Sequence, residues 1–196
     1  MEDNMQQLFW SITPNGMPTL AKRCPKCGHP HYTSGGQFRV NANGGLVDVW
    51  LVYRCGRCKA TWNLEVLART RPSAIGRAQY ERFLANDPAL ALQCAFDPAL
   101  LRRNHAALDV EALAFTVEGP LPTEYPCTVA LQPAFPLPIP AAKALAQRLG
   151  LSGSALRRLE EAGALCCEPS LRKAKLSGPV RVAFLQDPFH PAGFRI

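Results

Sequence analysis

CPKCGHPHYTSGGQFRVNANGGLVDVWLVYRCGRC, residues 24–58, decides how the rest of the chain is read. It opens and closes on a C-x-x-C pair, Cys24 with Cys27 and Cys55 with Cys58, and residues 28–54 lie between them. A stretch of that length accommodates a β-hairpin that returns the second pair to the first. Four thiolates then converge tetrahedrally on one soft ion, with metal–sulfur distances near ~2.3 Å. The intervening residues supply the hairpin. Gln37 to Ala42 has strand character, Asn43-Gly44-Gly45 is a turn whose residues tolerate positive φ, and Leu46 to Arg54 is a second strand. Val47, Val49, Leu51 and Tyr53 line one face of that strand, while Trp50 and Val52 add apolar groups to the other. Beyond the second pair, Trp62, Leu64 and Val66 alternate with Thr61, Asn63 and Glu65, which predicts a third strand.

These features predict a zinc ribbon, in which Cys24, Cys27, Cys55 and Cys58 hold Zn2+. The rival readings are a redox dithiol, which usually sits between a strand and a helix, and two disulfides. Here both pairs sit between strands and come as a matched set, so metal binding is the reading taken. A four-cysteine set leaves no coordination position for water or substrate, so the expected role of the ion is structural. His29 and His31 follow the first knuckle closely and read as loop histidines.

The 196 residues allow one medium domain or two to three small ones, and 18 prolines suggest segmentation. A formal charge of +7 makes an acidic partner plausible, nucleic acid first. The charge is uneven: residues 1–70 carry a net +4, residues 71–138 a net −2, and residues 139–185 a net +5. The start, MEDNMQQLFW, has no apolar run of signal-peptide length, and no stretch approaches the ~18 apolar residues of a membrane span. A cytoplasmic location is the expectation. Cys94, Cys127, Cys166 and Cys167 show no disulfide-framework spacing and read as small buried hydrophobes.

Along the chain, Leu8 to Ile12 predicts a short strand. Ile75, Ala78 and Phe83 follow helical spacing; Asp87-Pro88 and Asp97-Pro98 each cap and open a further helix. Leu113, Phe115 and Val117 alternate as a strand. Seven prolines between Gly119 and Pro140 predict an extended connector with at most a short strand at Cys127 to Leu131, and a domain boundary is placed there. After Pro140, Ala142, Leu145, Ala146 and Leu149 make a helical stripe ending at Gly150. Ser152 caps a second helix with Ala155, Leu156 and Leu159 inward, and Gly163 stops it. Strands are expected at Ala164 to Cys167 and Val180 to Leu185, around the basic stretch LRKAKLSG.

In this last segment LGLSGSALRRLEEAGAL, followed by a basic segment and a Ser-Gly turn, resembles the small RNA-binding module named after ribosomal small-subunit protein four, the S-four module. The resemblance implies a helix, helix, hairpin fold. It carries RNA contact onto Ser152, Ser154, Arg157 and Arg158, with Lys173 and Lys175 in the strand loop. The chain departs from the family at Gly153 and Ala155, at Ala142-Lys143 in the opening of the first helix, and at Glu168-Pro169-Ser170 in place of an Asn-Gly turn. Separately, KRCPKCGHP, SGGQFRVNANGGLVDVWLVYRCGRCKATWNLEV and AFDPALLRRN resemble a bacterial family of uncharacterised proteins catalogued as domain of unknown function 1062. That second resemblance implies no activity.

The sequence therefore predicts an α+β chain with a zinc-ribbon β domain over 1–70, a helical scaffold and Pro-rich connector over 71–138, and an S-four-like module over 139–196. The expected function is non-enzymatic binding of structured RNA, ribosomal or transfer RNA, through basic surfaces of the ribbon and the S-four-like module. The alternative is a protein-interaction adaptor with a structural zinc ribbon, which exposed aromatics around Trp50 and Trp62 would favour. No phosphate-binding glycine loop, nucleophile-base pair or open metal site argues for an enzyme. His105, beside Asn104 and two arginines, is the one isolated catalytic candidate, and a capping or surface role is expected of it.

Overall fold

The computed structural model describes residues 6–189, so the outermost parts of the first and third predicted segments, 1–5 and 190–196, lie outside the described residues. In chain order the strands are β1 (Gln6–Pro14), β2 (Leu20–Ala21), β3 (His31–Thr33), β4 (Phe38–Asn43), β5 (Leu46–Cys55) and β6 (Thr61–Thr70). Helices α1 (Arg77–Leu84), α2 (Pro88–Ala95) and α3 (Pro98–Arg103) follow. Next come β7 (Ala107–Leu108), β8 (Phe115–Glu118), β9 (Cys127–Pro133), α4 (Ala141–Leu149), α5 (Gly153–Glu161), β10 (Leu165–Cys166) and β11 (Val180–Phe184). The class is mixed α+β with more strand than helix.

The described chain forms two compact units rather than three consecutive segments. Residues 14–114 make one; residues 6–13 together with 115–189 make the other. The reason is a pairing across a large sequence separation. Strand β1 runs parallel to β9, Gln6 opposite Cys127 through Ile12 opposite Pro133, so the N-terminal strand belongs with the C-terminal half.

The 14–114 unit is built on β5, which pairs with β4 and β3 along one edge and β6 along the other. Gly44 and Gly45, at φ of 60° and 75°, close the β4–β5 hairpin; two successive positive φ angles are the requirement of a type I′ turn. The expected alternation holds: Val47, Val49, Leu51 and Tyr53 are buried, and Phe83, Leu90, Ala91 and Cys94 join them in one core. Asp87 caps α2 by accepting from the Leu90 N–H, and Asp97 caps α3 by accepting from the Ala99 and Leu100 N–H groups.

The second unit is a five-stranded sheet in the order β10-β11-β9-β1-β8. Its central strand lies inside the stretch expected to be a connector. The prolines flank that strand and leave residues 127–132 free to pair, while Cys127, Val129 and Leu131 alternate inward. Trp10 from β1 is fully buried, donates its indole N–H to the Pro120 carbonyl at 2.8 Å, and lies beneath the Arg148 guanidinium, 5.9 Å from its ring centre. Gly119 packs so tightly on Trp10 and the Phe9 carbonyl that a Cβ there has no room. Gly150, left-handed at φ 66°, ends α4; the Ser152 hydroxyl accepts the Ala155 N–H to start α5. Helices α4 and α5 are followed by β10 and antiparallel β11. However, β11 also pairs with β9, so residues 139–189 share one sheet with residues the sequence had divided from them.

Candidate metal centre

Two tight turns of the same construction bring the cysteines together. In the first the Gly28 N–H donates to the Cys24 carbonyl at 2.8 Å, with Gly28 at φ 72°. The second repeats it, Lys59 N–H to the Cys55 carbonyl at 3.1 Å, with Lys59 at φ 60°. A third bond, Gly56 N–H to the His31 carbonyl at 3.0 Å, ties the second turn to strand β3, which follows the first. The ladder of β3 on β5, Tyr32 opposite Cys55, fixes their relative height.

The four sulfurs all lie within 4.8 Å of one another, and Cys24 to Cys58 is 3.7 Å, Cys27 to Cys55 3.6 Å. A tetrahedron with metal–sulfur bonds of ~2.3 Å has edges of about 3.8 Å, so the spacing suits an ion at the centre. A disulfide needs about 2.05 Å, and all four cysteines are free thiols. Donors converge on the sulfurs. The Tyr32 hydroxyl bonds Cys24 and, with the Cys27 and Lys26 N–H groups, lowers its thiol pKa to about 6 against the cost of burial. Burial opposes ionisation at Cys55, yet the Cys58 and Arg57 N–H groups and the neighbouring sulfurs bring its pKa down. Cys58 receives the Ala60 N–H, but burial and the other three sulfurs push it up to about 11. Ionising all four sulfurs at this spacing requires a cation between them. The donor set therefore fits a soft dication.

His29 and His31 stand beside the cluster rather than in it. Their rings meet edge to face at 5.5 Å, and His31 Nδ1 lies 2.8 Å from the Asp109 carboxylate. The Tyr32 contact to Cys24 was not visible in the sequence, because it depends on β3 pairing beside the first turn. The surrounding charge was visible, in KRCPKC and RCGRCK: Arg23, Lys26, Arg54, Arg57 and Lys59 are all exposed and none makes an ion pair among the described residues.

The second group of predicted residues lies in the other unit. Ser152 is the cap of α5, and its hydroxyl is 2.9 Å from that of Ser154. Arg157 is exposed and 3.6 Å from Glu161, one turn along; Arg158 is exposed with no ion pair among the described residues. Lys173 and Lys175 are exposed on the loop between β10 and β11. Ser154 and Arg157 line one cavity together with Arg172, which sequence reasoning did not single out; Ser152, Arg158, Lys173 and Lys175 lie outside it. His105 sits in a left-handed turn at φ 51° and its carbonyl accepts from Lys22, while the neighbouring Asn104 side chain bonds strand β6. No helix among the described residues is long and apolar enough to cross a membrane.

Compared with known proteins, the chain matches one family, described as a protein of unknown function (DUF1062), over residues 40–170. The match takes in Cys55, Cys58 and α5. It begins after Cys24 and Cys27. No curated protein and no solved structure matches the chain.

Proposed function

The chain belongs to the DUF1062 family, and from its own residues we propose that it is a non-enzymatic cytoplasmic protein that holds one zinc ion and binds structured RNA, ribosomal or transfer RNA. Zinc is favoured by an all-sulfur, four-ligand set with tetrahedral spacing, and an ion so enclosed cross-links the two turns. RNA binding rests on exposed cations: Arg23, Lys26, Arg54, Arg57 and Lys59 around the cysteines, and Arg158, Arg172, Lys173 and Lys175 on α5 and the following loop. Cations without carboxylate partners release counterions from phosphates on binding, which is the main sequence-independent source of affinity for nucleic acid. The Arg157–Glu161 pair is two-thirds exposed at both ends and contributes little against this. The adaptor alternative called for exposed aromatics at Trp50 and Trp62; both are half-buried.

Elemental analysis of the purified protein, with sequencing of any co-purifying RNA, tests both halves. About one zinc per chain is expected. Affinity for transfer RNA should fall roughly 10²–10³-fold between 50 and 200 mM salt if about five phosphates are neutralised. Replacing Arg157 and Arg158 by glutamate should weaken it further. Salt-independent binding, or no binding to any structured RNA, sinks the RNA half and leaves the zinc half standing.

A further inference from the structure

The cavity beside α5 has a volume of about 310 Å³, close to the lower end for small-molecule sites. Its floor is apolar, from Leu156 and Leu171, both buried, with Ala142 beside them. Ser154, Arg157 and Glu160 stand along its helical wall at three-residue steps, so Ser154 and Glu160 are about 9 Å apart along the axis. Arg172 faces them from the loop wall. That wall is sewn down on both sides: the Leu171 N–H donates to Glu160 Oε1 at 2.8 Å, the Ala142 N–H to the Leu171 carbonyl at 3.2 Å, and the Ala141 N–H to the Ala174 carbonyl at 2.9 Å. The Glu160 carboxylate uses one oxygen for this bond, and its second has no partner among the described residues.

We infer that this cavity holds a single unpaired nucleotide of the bound RNA, phosphate toward Ser154, Arg157 and Arg172, base on the apolar floor with its Watson–Crick edge at Glu160. The inference rests on the RNA reading above and adds base preference to it. A carboxylate only accepts hydrogen bonds. Guanine presents two adjacent donors, N1–H and the N2 amino group, and matches it; uracil presents one N–H between two carbonyl oxygens that the carboxylate repels. Unstacked bases read on their Watson–Crick edge are the usual route to sequence preference in RNA. The cavity is too short for an extended peptide of more than two or three residues, at ~3.3 Å each.

The test uses the full chain and two hairpin RNAs that differ only in one bulged nucleotide, guanosine or uridine. The guanosine hairpin should bind at least 5-fold tighter, and guanosine 5′-monophosphate should compete better than uridine 5′-monophosphate. Glu160→Gln keeps an acceptor for Leu171 but loses the charge, and should erase the preference by weakening the guanosine hairpin alone. If the cavity is merely part of a basic patch, removing a negative charge strengthens binding to both hairpins equally. That outcome overturns the inference while leaving RNA binding intact. Binding of neither hairpin, nor of transfer RNA, removes the RNA reading itself. Arg172→Ser, at an exposed position, should weaken both hairpins with the preference retained; if it leaves both unchanged, or if a glutamate-rich peptide competes as well as the nucleotide, the proposed occupant is wrong. Hydrogen-exchange protection at β9 and β11, the strands that share a unit with the cavity, measured on each variant shows that it has folded.

Discussion

Eight cysteines occupy distinct environments, and reactivity should separate them. Cys94 and Cys127 are buried, and burial raises both thiols, Cys94 to about 11. Cys167 is also pushed up to about 11, first by burial and then by the Glu160 carboxylate. At pH 8 a thiol of pKa about 11 is ionised in roughly one molecule in a thousand, and the thiolate is the nucleophile. Cys166 alone is exposed. With zinc bound, a disulfide reagent should therefore modify one thiol per chain quickly, and Cys166→Ser should remove that phase; a chelator should add four more. Fast modification of five thiols without chelator would show that no ion protects the cluster. Asp87 gives a second prediction. The Arg82 guanidinium, 3.2 Å away, and the Leu90 N–H hold its carboxyl below its ordinary value of 3.8. A depressed folded pKa means that the ionised group stabilises the fold above the unfolded value and stops doing so as pH falls through the folded one. The denaturant midpoint of the native protein should drop more steeply below about pH 4 than that of Asp87→Asn, which keeps the cap but not the charge. Parallel pH profiles would mean that the charge is immaterial. At this scale the convergence of the four cysteines was legible because two matched C-x-x-C pairs restrict the chemistry by themselves. The Tyr32 hydroxyl and Arg172 were not, since each acts only through a neighbour that folding supplies.

The elements divide along the same line. Strands β4, β5 and β6 were readable because alternation, a double-glycine turn and the fixed ends of the cysteine pairs all agree on one register. The caps at Asp87, Asp97 and Ser152 were readable because each is a local device. Strand β9 was allowed only as a short strand at Cys127 to Leu131 within a connector, and its prolines hid its place at the centre of a sheet. Its partners, β1 across a parallel pairing and β11 after two helices, leave no local mark, because the burial that selects such a strand exists only once the sheet has closed. Asn104 shows the same limit. Near α3 it looked like part of a polar cluster around a candidate histidine, whereas its side-chain amide behaves as a neighbouring strand would. The Glu65 N–H donates to Asn104 Oδ1 at 2.8 Å, Asn104 Nδ2 donates to the Glu65 carbonyl at 2.9 Å, and Arg103 donates to the carbonyls of Glu65 and Val66. Among the described residues strand β6 otherwise pairs with β5 alone, so these side chains cover part of an open edge. Asn104→Ala should lower stability by about 1–3 kcal/mol, the usual effect of stranding backbone groups, and make the protein more prone to self-association. A denaturation midpoint and a sedimentation profile both unchanged would show that water serves the edge equally well.

For the molecule as a whole, the decisive feature is that residues 14–114 enter the chain between β1 and β8 and carry all four sulfurs of the cysteine cluster. The other unit owes its cohesion to different contacts. Strand β9 is paired on both edges, and Trp10, Val129, Leu131, Val182 and Phe184 are buried around it. None of these contacts involves a sulfur of the cluster. A ligand that binds only the folded state adds about 4 kcal/mol when present at a thousand times its dissociation constant, and that increment belongs to whichever cooperative unit contains the site. Chelation should therefore act unequally. Hydrogen exchange after metal removal should accelerate at the amides of β3, β5 and β6 by 10-fold or more, while those of β9 and β11 keep their protection. Heating the metal-free protein should then give two transitions, the lower one restored by adding zinc. If β9 and β11 lose protection in step with β5, the two units unfold as one. The metal would then stabilise the entire chain, and the basic surfaces of both units would be lost together when it leaves.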